Sequence, residues 1–129
     1  MAIGVSTDMA ESIICERAFE FAVRILKLCE RLWNGGPIAP HIASQLLKCG
    51  TSIGSNAAEA QEGQTKPDCV AKLSLSRKES REARYGLRLA IRTHVVKLEE
   101  IQWEMDEVNQ LRWMIVSPIK TAQASSSRG

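Results

Sequence analysis

Apolar residues recur at alternating steps of four and three along most of this chain, a rhythm that leaves room for little but helices. Ile14, Ala18, Phe21, Ile25, Leu28 and Leu32 follow it, with Ala22, Cys29 and Trp33 widening the stripe. Ala43, Leu46, Gly50, Ile53 and Ala57 follow it again. So do Cys69, Leu73, Ser76, Ser80, Ala83, Leu87, Ala90 and His94. Ile101, Met105, Val108, Leu111, Ile115 and Ile119 make a fourth run. Each run sets about one side chain per turn on a single helix face. No segment alternates with a period of two for long enough to make a strand.

Punctuation separates the runs. Residues 1–7 read as a loose leader, with Ser6, Thr7 or Asp8 as cap and Glu11 in the capping-box position after Asp8. Asn34-Gly35-Gly36-Pro37 ends the first helix, and Pro40 suits the first residue of the second. Gly63-Gln64-Thr65 ends the second, and Pro67 opens the third with Thr65 or Lys66 at the cap. No turn residue lies between Thr93 and Lys97, so that boundary rests on length. A single helix from Pro67 to Ala122 would exceed about 80 Å at roughly 1.5 Å per residue. The acids from Glu99 to Glu107 suit the start of a fourth helix, where the macrodipole favours negative charge. Pro118 is expected to kink or fray the last turns.

The expected architecture is all-α: helices over 8–33, 40–62, 67–93 and 98–121, in one domain over 1–122 with a disordered tail over 123–129. Short connections make it an up-down-up-down antiparallel four-helix bundle. A chain of 129 residues is long enough for one such core.

The second helix carries an unusual stretch, Thr51-Ser52-Ile53-Gly54-Ser55-Asn56-Ala57-Ala58-Glu59. Glycine costs a helix interior about 1 kcal/mol relative to alanine. Gly50 and Gly54 therefore make sense if another helix must approach closely. Ser52, Ser55, Asn56 and Glu59 gather opposite the seam, as an interface network or as an exposed polar face.

Net charge is +2, but it is unevenly spread. Residues 66–97 hold nine Lys/Arg against Asp68, Glu79 and Glu82, a local +6 that leaves −4 for the remainder. On the third helix Arg77, Arg81, Arg84, Arg88 and Arg92 fall within about 80° of arc at roughly 100° per residue, with Lys78 and Lys72 nearby. Arginine's planar fork suits phosphate, which makes this stripe a candidate nucleic-acid face. Its alternatives are ion pairs between subunits and a solvated surface neutralised by Glu79, Glu82 and neighbouring acids. Antiparallel packing would set Arg92 near Glu99 and Glu100. Leu75, Tyr85 and Leu89 form an outward apolar strip that fits an oligomer interface better than water.

Catalytic constellations are missing from the sequence. Neither His41 nor His94 has a glutamate three residues before it, so the Glu-x-x-His pattern of di-iron bundles is absent. His94, on the seam, reads as a structural histidine. There is no phosphate-binding Gly-rich loop and no serine with a positioned base. Cys15, Cys29, Cys49 and Cys69 lack metal or paired spacing and read as buried thiols. Trp33, Trp103 and Trp113 sit in or beside seams, with packing as their expected role. No apolar run reaches about 18 residues and no signal sequence opens the chain. The expectation is a cytoplasmic protein with no cofactor, no metal and no membrane partner.

The stretch Thr51–Ala60, the turn Gly63-Gln64-Thr65-Lys66-Pro67-Asp68, Ala71-Lys72-Leu73-Ser74 and the run Lys78–Leu89 resemble a bacterial four-helix-bundle family. That family is named after the protein encoded in intervening sequences of 23S rRNA genes. The likeness covers nearly the whole chain. Two positions depart from the pattern: Cys69 stands where an aromatic is common, and Gly86 where a tryptophan often follows the tyrosine. The resemblance implies a cytoplasmic homopentamer with a basic surface and no known catalytic activity. It extends to the accessory (variability determinant) proteins of diversity-generating retroelements, pentameric bundles that bind a reverse transcriptase and its template RNA.

The function expected from these features is a non-enzymatic oligomeric scaffold that binds structured nucleic acid, RNA before DNA. Arg77, Lys78, Arg81, Arg84, Arg88 and Arg92 would face the nucleic acid. Leu75, Tyr85, Leu89, Ser52, Ser55, Asn56 and Glu59 are candidates for subunit contacts. The alternative is a retroelement accessory protein that binds a reverse transcriptase and its template RNA.

Overall fold

The computed structural model describes the backbone of residues 2–128 and the side chains of residues 12–121, 123 and 124. Four α-helices account for nearly all of it: α1 (Ala2–Leu32), α2 (Ala39–Gln61), α3 (Lys66–Arg92) and α4 (Gln102–Arg128). A single 3-10 turn, Leu98–Glu100, leads into α4, and there is no strand among the described residues. Each helix packs on the next, and α4 packs back on α1.

Helix starts and stops follow local chemistry. Pro40 sits in the first turn of α2, where its missing N–H costs nothing. Thr65 caps α3, its hydroxyl accepting from the Asp68 backbone N–H at 3.2 Å. α1 starts at Ala2 rather than at the expected cap near Asp8. No proline interrupts residues 1–32, and Gly4 alone is too weak a breaker to stop a helix. The candidate caps and Glu11 lie outside the described side chains. α4 is helical to Arg128 across the expected tail from 123, since neither Gly nor Pro occurs between Ile119 and Arg128. It also continues through Pro118.

The seams become the core. Ile14, Ala18, Phe21, Ile25, Leu28 and Leu32 are all buried, as are Ala43, Leu46, Gly50, Ile53 and Ala57. Leu73, Ser76, Ser80, Ala83, Leu87 and Ala90 follow from α3, and Ile101, Val108, Leu111 and Ile115 from the last run. Ser76 reaches across to α2, its buried hydroxyl donating to the Ile53 carbonyl at 2.7 Å.

Small residues set the helix spacing. A Cβ on Gly50 would lie 2.8 Å from Cγ2 of Ile25, and one on Gly86 would lie 2.9 Å from Cδ2 of Leu46. The space beside Gly86 is therefore filled by Leu46 of α2. Gly54 is less crowded: its nearest neighbour, Cβ of Ala18, would be at 3.4 Å, ordinary contact.

His94 departs from its seam position. It takes a left-handed φ of 61° and lies exposed just past α3. Its N–H bonds the Ile91 carbonyl at 3.0 Å, while the N–H groups of Val95 and Val96 converge on the Ala90 carbonyl at 3.0 and 3.2 Å. This left-handed stop turns the chain before the seam's next step, and Val96 is buried beyond it. The connection is then tied to α1. One Glu100 oxygen accepts from the Lys97 backbone at 2.9 Å, and the other pairs with Arg31 at 3.0 Å.

Cys29 and Cys49 are buried, Cys29 donating to the Ala43 carbonyl at 3.2 Å, while Cys15 and Cys69 are half-buried against the core. Burial pushes the Cys29 thiol up to about 11. Burial, with help from Glu79 and Glu82, pushes Cys49 up to about 12.

Two predictions follow from this packing. Gly50→Ala should destabilise the protein by about 1–3 kcal/mol, because the stiff Ile25 side chain blocks the new methyl. Gly54→Ala should instead stabilise it by up to about 1 kcal/mol, through helix propensity in ordinary contact. Paired urea titrations read both signs. The buried thiols favour the folded state as long as they stay neutral. Their contribution is complete below the ordinary thiol value of 9.0 and is lost as pH rises through about 11 for Cys29 and about 12 for Cys49. Denaturant midpoints should fall above pH 9, and Cys29→Ala and Cys49→Ala variants should fall less. An alkaline fall of equal size in wild type and variants would contradict it.

Candidate nucleic-acid interface

The arginine stripe of α3 lies on the flank that meets α4. Arg77, Lys78, Arg81, Arg88 and Arg92 are exposed, and Arg84 is half-buried because its Nε–H donates to Oδ1 of Asn109 at 3.0 Å. On the outer side of the same helix Leu75 and Tyr85 are exposed and Leu89 is half-buried.

Several acids expected to neutralise this stripe face other helices. Glu79 lies on the α2 side of α3, close enough to raise the Cys49 thiol and to feel Lys48. Its own pKa is raised, first by burial and then by Glu82. Glu107 of α4 faces α1, where both its oxygens bind Arg17, at 2.5 and 2.9 Å. Arg17 also donates to Oε1 of Gln110, and its pKa is raised chiefly by the hydrogen bond to Glu107. Glu100, expected beside Arg92, is held by Arg31 and the Lys97 backbone instead. The left-handed turn at His94 swings the chain toward α1 before Glu100 is reached.

α4 adds a cation rather than an acid. Arg112 feels the charges of Arg84, Arg77 and Arg81, and its Nε–H is buried with no acceptor among the described residues. Burial, then repulsion from those three arginines, lowers its pKa from the ordinary value. Next to the cluster, Ser74, Arg77, Arg81, Val116, Ile119, Lys120 and Gln123 line a cleft of about 330 Å³. A cluster of like charges around a buried, unsatisfied donor is a place where an anion would relieve both costs. Arg112 escaped the sequence reading. On its own helix it merely flanks a seam, and only the Arg84–Asn109 register brings it to the stripe.

Of the candidate interface residues of α2, Ser52, Ser55 and Asn56 turn back on their own helix. The Ser52 hydroxyl donates to the Lys48 carbonyl at 2.7 Å, and Asn56 Nδ2 donates to the Ser52 carbonyl at 2.9 Å. Ser55 bonds the same Ser52 carbonyl at 3.3 Å, and Glu59 pairs with Lys72 of α3 at 2.6 Å.

The tryptophans correct an expectation. Trp33 is 58 % exposed and Trp113 76 %, and Trp103 is held beneath the Arg24 guanidinium, 4.5 Å from its ring centre. Trp33 and Trp103 each sit one step from a buried residue and Trp113 lies opposite the core face of α4, so nearness to a seam did not put them in the core.

Comparison with known proteins bears on this geometry. The model of the 23S rRNA-intervening sequence protein family matches residues 10–117. The chain belongs to that family. Its matched segment contains all of α2, all of α3 and Arg112, but stops short of Lys120. Among solved structures it is similar to a protein with unknown function from the S23 ribosomal protein family of Bacteroides thetaiotaomicron. That structure is 32 % identical with a TM-score of 0.80, over 86 % of this chain and 98 % of that one. No curated protein matches. No helix among the described residues is long and apolar enough to cross a membrane, and none of their His, Cys, Asp and Glu groups could hold a metal ion.

Arg112 offers a direct probe of the cluster. Arg112→Met removes a buried unpartnered donor and a repelling charge while keeping the stem volume. The variant should melt higher than wild type at low ionic strength, with the gap narrowing as salt screens the arginines. Phosphate should raise the wild-type melting temperature more than the variant's. Thermal melts in matched chloride and phosphate buffers check both trends.

Proposed function

We propose that this protein is a non-enzymatic scaffold that binds structured RNA through the cationic surface shared by α3 and α4. Arg77, Arg81, Arg84 and Arg88 contact phosphates, with Lys78 and Arg92 extending the face and Arg112 and Lys120 adding to it from α4. The observation that carries this reading is the Arg77–Arg81–Arg84–Arg112 cluster, while Glu107 and Glu100 pair instead with Arg17 and Arg31 of α1. Phosphate contacts of this kind position a nucleic acid without reading its sequence. RNA is favoured over DNA by the family's association with ribosomal RNA, and the cytoplasm is the compartment that goes with it.

Within this proposal the protomer is an up-down-up-down bundle and the assembly a homopentamer. Interhelical contacts support the topology: Ile25 meets Gly50 while Ala18 meets Gly54, and Leu46 meets Gly86 while Ile53 meets Ser76. In each pair the numbers rise along one helix as they fall along the other. Exposed apolar surface supports the assembly. Leu26, Trp33 and Leu47 border a groove of about 560 Å³ between α1 and α2, and the α3 strip of Leu75, Tyr85 and Leu89 lies on another side. A strip on one subunit seated in a groove on the next is a head-to-tail contact, the kind that closes rings. Repetition of the cationic face around a ring would convert weak single contacts into avidity. The same α1–α2 groove suits the alternative, in which a reverse transcriptase docks beside its template RNA.

Arg81→Glu/Arg84→Glu should abolish most binding to a structured RNA and flatten the logarithmic salt dependence by roughly 1.5, about 0.7–0.9 per lost phosphate contact. Fluorescence anisotropy across a salt series reads both quantities. Unchanged affinity and slope would exclude this face. Light-scattering mass of the same samples tests the homopentamer, and a monomer would remove the avidity argument.

A further inference from the structure

The same surface carries a large aromatic that phosphate binding does not use. Trp113 follows Arg112 directly and is 76 % exposed, the most exposed large apolar side chain among those described. On α4 it lies one turn before Val116 and two turns before Lys120, which line the cleft with Arg77 and Arg81. Trp113 and Lys120 are separated by about 10 Å along the axis, at roughly 1.5 Å per residue. One stripe of α4 thus runs from an open indole to a cationic cleft.

We propose that Trp113 stacks an unpaired base while the neighbouring arginines hold its flanking phosphates, so that the protein selects single-stranded segments of RNA over duplex. This rests on the nucleic-acid reading above and specifies its ligand. A continuous duplex keeps its bases stacked on one another and offers only edges and backbone, against which an outstanding indole is an obstruction. Unpaired bases present open π-faces, and aromatic side chains beside a cationic groove are how sequence-tolerant single-strand binders hold them. A monomer's surface gives an isolated indole little reason to stand so far into water, and the Arg112–Lys120 cations at its sides match a nucleotide's charge. Arg77, Arg81 and Lys120, which line the cleft, provide the phosphate end of the site.

The test uses the full chain with a labelled twelve-residue oligouridine and a blunt RNA duplex of equal length. Trp113→Ala should weaken oligouridine binding about tenfold and duplex binding less than about twofold, and Trp113→Phe should recover most of the loss. Oligouridine should quench part of the wild-type tryptophan emission, and that part should vanish in Trp113→Phe, in which Trp33 and Trp103 remain. Equal weakening of both ligands, or no weakening of either, overturns the stacking role. If Arg81→Glu/Arg84→Glu still abolishes duplex binding in that case, the cationic face stands without it. Failure of wild type to bind either RNA overturns both.

Discussion

The close approach of α2 to its neighbours is the contact on which the remaining geometry depends. Ile25 of α1 occupies the space a side chain at Gly50 would need, and Leu46 of α2 occupies the space at Gly86 of α3. Both contacts are between a bare backbone and a fully buried branched side chain, so neither helix can slide without opening a void or forcing a clash. They fix the register of α1, α2 and α3 together. The Ser76 hydroxyl on the Ile53 carbonyl adds a directional bond inside the same interface. Each helix that gives up propensity, α2 at Gly50 and α3 at Gly86, gains close contact with its neighbour.

Register in turn sorts charge. α3 places acids on its α2 side and arginines on its α4 side, a separation visible in the perturbation of Cys49 by Glu79 and of Arg112 by Arg77, Arg81 and Arg84. α4 does the reverse at its start, sending Glu107 to Arg17 of α1. The outcome is that a chain of net charge +2 concentrates uncompensated cations along a single interhelical cleft. That arrangement costs stability, since a cluster of like charges with a buried, unpartnered donor is unfavourable in the free protein. Such a cost is what a binding surface for phosphates is expected to carry.

The helices and most of the core were legible in the sequence because burial on a helix face is a property of one helix at a time. All six seam residues of α1 from Ile14 to Leu32 are buried. Properties that depend on two helices were not legible. Arg112 joins the stripe only through the register set by Arg84 and Asn109, and Glu100 is drawn to Arg31 by a turn whose left-handed residue is a histidine, not a glycine. Trp33 and Trp113 illustrate a second limit. Trp33 falls at the edge of the buried arc of α1, whereas Trp113, two residues from both Leu111 and Ile115, lies on the side of α4 opposite the core.

Trp113 stands exposed on the helix that lines the cationic cleft, next in sequence to Arg112. On α1 and α2 the exposed apolar residues Leu26, Trp33 and Leu47 border a groove to which Lys27 and Glu30 contribute opposite charges, a composition suited to another protein surface. Between α3 and α4 the cleft walls are cationic, with Arg77, Arg81 and Lys120 and no acid. A second copy of this chain seated on the latter would have to bring acids to Arg81 and Lys120. The α1–α4 groove, with Glu16 and Glu20 beside Phe19, could supply them. Assembly and RNA binding would then compete for one surface, and the salt dependences would separate them: raised salt would loosen both, but added RNA would dissociate subunits held that way. Subunits held through the α1–α2 groove would stay together as RNA bound, because that groove leaves the cationic cleft free.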